Sequence, residues 1–303
     1  MATFLRQPGS ARSIEAPIVE ELLGWYRHAA RQLPWREPAA TPWAVLVSEI
    51  MLQQTPVARV LPAYERWIAR WPTPAALAAA TAGDAVRAWD RLGYPRRALR
   101  LHAAATTIVV RHSGEVPADY AQLRALPGVG DYTAAAVAAF AFRQRHAVLD
   151  TNVRRVLARA VSGLAEPSSA PTMAERRAAS ELLPDDGERA ATFGVALMEL
   201  GALICRARVP QCDRCPVAHR CAWRQAGYPP SALPLRPGQR YEGTDRQARG
   251  AVLAILRAQP GPARLAQLRS AWPDAVQLDR ALDGLVADGL VEPLPRSRFQ
   301  LPT

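Results

Sequence analysis

The 303-residue sequence predicts an all-α chain that ends in a small winged-helix-like module. Three observations carry this expectation. Apolar residues recur at three- and four-residue intervals, as in Ile18, Leu22, Leu23, Tyr26 and Ala30, and again in Val153, Val156, Leu157 and Ala160. Alternating strand patterns are nearly absent before residue 229. Proline-rich breaks at 72–74, 167–171 and 229–237 separate the helical stretches, and no internal repeat is present.

Along the chain, Thr41 followed by Pro42 reads as an N-cap with proline in the first turn, opening a helix through about Gln53. Two apolar helical segments follow at 121–126 and 132–142. Residues 1–228 make the first domain, and the run Pro229 to Gly238 is the linker candidate. Residues 239–303 form the last module, with helices near 245–258, 263–271 and 275–288 and an extended stretch from Val291 to Leu301 broken by a Pro-Arg-Ser-Arg turn. That module reads either as a packing or partner-binding domain or as a second DNA contact. Its charge does not decide: residues 229–303 hold 10 arginines against 7 acids, whereas 1–228 hold 28 against 20.

With 49% apolar residues the chain can bury a substantial core, which excludes global disorder. A net charge of +11 points to a polyanionic partner. All 38 basic residues are arginine, so no reaction through a lysine amine is open. The longest uncharged apolar run, Thr133 to Phe142, is about half of the roughly 20 residues that span a bilayer. The start, Met-Ala-Thr-Phe-Leu-Arg, lacks a basic region followed by an apolar one, so no signal peptide is indicated. A soluble, intracellular protein with no membrane partner is expected.

The four cysteines all lie between Cys205 and Cys221, as Cys205-x6-Cys212-x2-Cys215-x5-Cys221. They fit a structural zinc site, an iron–sulfur site or buried thiols. Only the middle pair has zinc-ribbon spacing, and four thiolates on unequal loops suit a [4Fe–4S] cubane better. Leu126-Pro127-Gly128-Val129-Gly130 sits between the two apolar helical segments. Two glycines permit a tight turn with outward N–H groups beside a helix N-terminus, a helix–hairpin–helix signature for phosphate binding. An ordinary helical turn is the alternative.

Two carboxylates complete the set. Glu49 lies in a mostly apolar helix, between Trp43, Val45, Leu46 and Val47 and Ile50, Met51 and Leu52. Desolvation there favours the protonated form that a general acid requires. Asp150 follows Ala147-Val148-Leu149 and reads as a helix N-cap or as a catalytic carboxylate. Together they suit glycosidic cleavage through an oxocarbenium-like transition state.

In this order the features resemble the helix–hairpin–helix DNA glycosylase superfamily, and within it the MutY-type adenine glycosylases. The resemblance runs from about Leu33 to Cys221. It rests on Leu-Pro-Trp-Arg at 33–36, Ser-Glu-Ile-Met-Leu-Gln-Gln-Thr at 48–55, Leu-Gly-Tyr at 92–94, Leu-Pro-Gly-Val-Gly at 126–130, Leu-Asp-Thr-Asn-Val at 149–153 and the cysteine loop. It implies a two-lobed fold, with a six-helix barrel and a cluster-bearing lobe that also uses the N-terminal helix. The implied activity is removal of adenine opposite 8-oxoguanine or guanine in double-stranded DNA, by a cytoplasmic, nucleoid-associated monomer. A thymine or uracil glycosylase acting opposite guanine is the first rival, and a non-catalytic DNA-binding regulator the second.

The same resemblance assigns roles. Glu49 is the acid that protonates adenine, and Asp150 stabilises or captures the sugar cation. Tyr132 and Asn152 organise this site, while Trp35 and Arg36 wall the pocket for the flipped base. Gln54 and Tyr94 wedge into the duplex, and Thr55 and Leu92 lie where 8-oxoguanine is held. Cys205, Cys212, Cys215 and Cys221 hold a [4Fe–4S] cluster, which sets Arg206 and Arg208 against DNA phosphates. Departures from the family pattern are Thr151 where many members have glycine, Pro95 where a second tyrosine is frequent, Gly194-Val195 near the adenine pocket, and no Nudix-like domain after the linker.

Overall fold

The structure, a computed structural model, describes residues 11–231 and 241–303, with side chains from Pro17 onward. The expected linker therefore lies outside the described residues from 232 on. Helices dominate, as the sequence predicts, and none among the described residues is long and apolar enough to cross a membrane. The chain groups into two units. One takes the chain up to Ala40, Ala118–Tyr120 and the stretch from Gly130 to the linker; the other takes Thr41–Pro117, Ala121–Val129 and everything after the linker.

In the first unit, helix Gly187–Leu203 packs against helices Ala11–Ala29 and Thr151–Ala160. Their apolar stripes meet in a core that includes Leu22, Leu23, Val153, Val156, Phe193 and Leu200. Burying each such side chain contributes about 1.5–3 kcal/mol before entropy is counted. Side-chain caps set where these helices begin: Asp150 accepts from Val153 N at 2.6 Å, and Asp186 from Arg189 N at 2.8 Å. Gly201 lets two helices touch, since a Cβ there would stand 2.6 Å from Asn152 Cβ. Helix Asp131–Phe142 is so alanine-rich that it presents no apolar stripe, and it buries Ala135, Ala136 and Ala139 beside Val148.

The second unit is built around helix Pro42–Leu52, started by the Thr41 hydroxyl accepting from Ala44 N at 3.1 Å. Every residue from Trp43 to Met51 is buried, which is why the segment shows no polar face. Tryptophans fill the space behind it: Trp67 meets Trp71 and Trp89 edge to face, at 4.7 and 5.6 Å between centroids. The indole of Trp43 donates to Trp71 O at 3.0 Å.

The C-terminal residues run as helix Asp245–Ala258, strand β1 (Ala263–Arg264), helix Leu265–Arg269, helix Ala275–Ala287, and strands β2 (Glu292–Leu294) and β3 (Arg298–Gln300). The sheet is antiparallel in the order β1-β3-β2. The helix expected at 263–271 is thus shortened. Ala263 and Arg264 pair with Phe299 and Arg298, and this ladder takes them out of the helix. This module docks on helix Ala82–Trp89 within the same unit. Arg257 Nε donates to Val86 O (3.0 Å), Arg87 Nε to Arg257 O (3.3 Å), and Gly83 N to Pro302 O (2.6 Å).

Gly83 has no room for a side chain, because a Cβ would overlap Pro302 O and stand 3.0 Å from Leu301 Cβ. Alanine is intrinsically better than glycine in a helix by about 1 kcal/mol. Gly83→Ala should nevertheless lower stability and release the C-terminus, read as faster amide exchange at residue 83 and earlier proteolysis after Leu301. Unchanged exchange would show that the terminus is not held there.

Candidate active site

Of the two carboxylates, one lies in each unit. Asp150 caps helix Thr151–Ala160, with Oδ1 on Val153 N and Oδ2 accepting from Asn152 Nδ2 at 2.9 Å. Burial raises its pKa, while these bonds and nearby Arg155 oppose the rise. Asn152 is itself held, its Oδ1 accepting from Arg155 Nη2 at 2.8 Å. The N-cap reading of Asp150 therefore holds, and the cap fixes where the carboxylate stands. Tyr132 lies in the first turn of helix Asp131–Phe142, half-buried against the Ala135–Ala139 cluster.

Trp35 and Arg36 occupy a short 3-10 turn, Pro34–Arg36, with Trp35 buried. Arg36 Nη1 donates to Glu199 Oε2 at 2.9 Å. Glu199 is fully buried and also takes Arg31 in a fork, Nε at 2.6 Å and Nη2 at 2.9 Å, plus the backbone N of Arg31 at 3.1 Å. Burial alone would raise its pKa, but the arginine bonds outweigh that and hold it below the ordinary glutamate range. Glu199 was missed by sequence reasoning. The available signal was the one that singled out Glu49, a carboxylate within an apolar helical run.

In the second unit Glu49 is buried, 4% exposed, in the middle of helix Pro42–Leu52. The loop after that helix carries Gln54 and Thr55, and a second loop carries Leu92, Gly93 and Tyr94. Gln54 and Tyr94 are exposed and both left-handed, at φ 56° and 47°, a conformation that costs a non-glycine residue energy. Thr55 and Leu92 are buried together, the Thr55 hydroxyl reaching Leu92 O at 3.4 Å. Buried Arg97 pins both loops. Its Nη1 donates to the carbonyls of Ile50 (3.0 Å), Met51 (2.9 Å) and Gln53, and its Nη2 to Thr55 Oγ1 (2.9 Å) and Gly93 O (3.1 Å). Burial pulls its pKa down to about 10, so it stays charged at neutral pH.

The glycine turn leads into the N-terminus of helix Asp131–Phe142. Gly128 is left-handed, at φ 78°, and a Cβ there would stand 2.7 Å from Arg100 Cβ. Gly130, at φ −97°, is in extended backbone open to any residue. It is the N-cap of helix Asp131–Phe142 and gives that helix no side-chain cap. A glycine turn leading into a helix N-terminus is the arrangement that binds phosphate.

The four cysteines line one cavity together with Arg159 and Trp223. Burial pushes the Cys215 thiol up to about 11 and raises Cys205, the latter against Arg159, whose Nη1 lies 3.6 Å from Cys205 Sγ. Among the described residues no group of three or more His, Cys, Asp or Glu is arranged to hold a single metal ion. Arg159 also donates to the carbonyls of Arg206 (2.8 Å) and Ala207 (3.1 Å), and Arg155 to Cys205 O (2.7 Å), so helix Thr151–Ala160 anchors the loop. Arg206 and Arg208 are exposed on it.

Residues 47–182 match the family model of the HhH-GPD superfamily base excision DNA repair proteins. The chain is 55% identical over 282 residues to an adenine DNA glycosylase of Mycobacterium tuberculosis, covering 93% of this chain and 92% of that protein. It is 52% identical over 282 residues to an adenine DNA glycosylase of Mycolicibacterium smegmatis, covering 93% and 94%. A solved thermostable thymine-DNA glycosylase superposes with a TM-score of 0.64 at 26% identity, covering 71% of this chain and 98% of that one.

Glu199→Gln keeps the shape but removes the charge facing Arg31 and Arg36. Breaking a buried pair in this way costs roughly 3–5 kcal/mol, and partial exposure of the arginines puts this case at the lower end. Because the folded pKa is lowered, this stabilisation is present above the ordinary glutamate pKa and is lost as pH falls through the folded value. Denaturant midpoints of wild type and variant should converge on acidification through that window. Parallel curves at every pH would remove Glu199 from that role.

Proposed function

The chain belongs to the adenine DNA glycosylases of the HhH-GPD superfamily, and on that premise we propose that it hydrolyses the N-glycosidic bond of adenine paired with 8-oxoguanine or guanine. The observation that carries this is identity above one half across nearly the whole chain, coupled to a buried acid and a fixed carboxylate at the matching motifs.

The base leaves as a neutral molecule only if it is protonated, and Glu49 delivers that proton. Asp150 faces the positive charge that grows on the sugar as the bond breaks, and completes the acid-plus-carboxylate pair of glycosidic cleavage. Asn152 and Tyr132 keep that carboxylate and its surroundings in place. Trp35 and Arg36 wall the pocket of the flipped base, and Glu199 holds Arg36 there. Gln54 and Tyr94 enter the duplex from the two loops that Arg97 ties down. Thr55 and Leu92 meet the orphan base. The glycine turn of Gly128 and Gly130 takes a DNA phosphate, as do Arg206 and Arg208.

Cys205, Cys212, Cys215 and Cys221 suit a [4Fe–4S] cluster, since four thiols lining one cavity offer a ligand to each of four irons. Such a cluster would serve structure, closing the loop that presents Arg206 and Arg208.

Glu49→Gln keeps size and hydrogen bonding but cannot donate the proton. General acid help is typically worth about 10²–10⁴-fold, so single-turnover adenine release should fall at least that far with mismatch binding retained. Wild-type rates in the variant would remove Glu49 from catalysis. Run on A·8-oxoguanine, A·G, T·G and U·G duplexes, the same assay separates adenine release from a thymine or uracil activity. With no lysine and Tyr132 at the position of the lyase nucleophile, the product should be an intact abasic strand. Borohydride should trap no enzyme–DNA adduct once the N-terminal amine is blocked. Purified protein should be brown and carry iron, and Cys212→Ser should lose iron, stability and DNA affinity together; stoichiometric zinc in colourless protein would overturn the cluster assignment.

A further inference from the structure

Apart from Arg246, six arginines of the described C-terminal module outside its docking face divide into two sets. Arg249, Arg269 and Arg280 each face a carboxylate, Asp288, Asp279 (3.4 Å) and Asp245 (3.1 Å) respectively. Arg264, Arg296 and Arg298 are exposed and have no carboxylate partner among the described residues. All three belong to the small sheet and its turn.

Their placement is unfavourable for the isolated fold in two ways. Arg264 and Arg298 are directly opposite on antiparallel strands β1 and β3, so their side chains leave the same face as adjacent like charges, which destabilises a sheet. On the other face, Ala263 is fully buried, so the register cannot slip to separate them. The β2–β3 turn puts Arg296 and Ser297 at φ 62° and 49°, left-handed positions where asparagine and glycine are the residues that fit. Arg298 Nε donates to Pro295 O at 3.2 Å, which folds its guanidinium over this same turn.

We propose that Arg264, Arg296 and Arg298 form a binding site for the DNA phosphodiester backbone, separate from the glycine hairpin and the cysteine loop. Three exposed guanidiniums without a carboxylate partner, on one small sheet and its turn, offer donors to successive phosphates, and the anion relieves the repulsion that the bare sheet carries. The site rests on the reading of this chain as a DNA glycosylase. It contacts backbone only, so it adds affinity without reading bases.

The test measures binding of the full chain to a matched duplex and to an A·8-oxoguanine duplex by fluorescence anisotropy across a salt series. Each phosphate contact contributes about 0.9 to the slope of log K against log salt, so the Arg264→Ala/Arg296→Ala/Arg298→Ala variant should lose roughly two to three units of slope on both duplexes. Arg269→Ala/Arg280→Ala, which removes paired arginines, should keep the wild-type slope. The triple variant should melt at or above the wild-type temperature, since it removes like-charge repulsion; a merely structural role would lower it. Arg296→Asn/Ser297→Gly gives the turn its preferred residues, and should raise Tm while lowering the slope by about one unit. An unchanged slope in the triple variant overturns the proposal, whatever other acidic partner the hairpin binds. Because a matched duplex is bound without excision, this outcome is independent of which base is removed.

Discussion

Buried arginines that collect main-chain carbonyls are the constraint on which both units depend. A guanidinium taken out of water needs acceptors for most of its donors, and Arg97 finds them for both Nη groups while its Nε is buried without one. Here the acceptors are largely the carbonyls that a helix leaves unpaired at its C-terminus, where the macrodipole also favours a cation. Arg97 serves helix Pro42–Leu52 through Ile50, Met51 and Gln53. Arg155 reaches Gly201 O at 2.8 Å, near the end of helix Gly187–Leu203, and Cys205 O just beyond it. Neither helix ends on a glycine. A lysine could not substitute, because a single ammonium cannot span carbonyls from several residues in fixed directions.

Each of these arginines also links a helix end to a loop with a proposed role. Arg97 joins the end of the Glu49 helix to Thr55 and to Gly93, so the two loops bearing Gln54 and Tyr94 share one anchor. Arg155 joins Asn152, beside Asp150, to the first cysteine of the loop. One turn further along the same helix, Arg159 holds the carbonyls next to Arg206 and Arg208. Helix Thr151–Ala160 therefore carries the proposed catalytic carboxylate at its start and the anchor of the cysteine loop along its length. Disturbing the loop would be felt at Asn152 through a guanidinium rather than through a flexible chain.

What could be read from the sequence was local. The Thr41 cap, the Asp150 cap and the helix around Glu49 follow from residues within a few positions of one another. What was missed depends on distant partners. Arg97 follows Arg96 and reads as half of a basic surface pair, yet Arg96 is exposed while Arg97 is buried, because only the latter faces the end of the Glu49 helix. Glu199 shares the apolar setting of Glu49, but its partners Arg31 and Arg36 lie more than 160 residues away. Ala263 and Arg264 have helix-forming side chains and become a strand because β3, some 35 residues later, supplies a ladder. Of the two glycines in the hairpin turn, Gly128 is left-handed and Gly130 is extended, a division that spacing alone does not reveal.

At Asp150 the observed cap and the proposed catalytic role need not be rival assignments. A catalytic carboxylate must stand at one place with its charge available, and an N-cap supplies the first condition at no extra cost to the fold. Val153 N fixes Oδ1, Asn152 steers Oδ2, and Arg155 fixes Asn152 in turn. Asparagine at this position would cap the helix about equally well, so the helix alone does not require an acid. Burial works against the charged form, and the bonds that make the cap also favour it. The fold therefore places a carboxyl where a neutral residue would meet its structural needs, and in the proposed reaction a developing positive charge on the sugar is the group that carboxyl would stabilise.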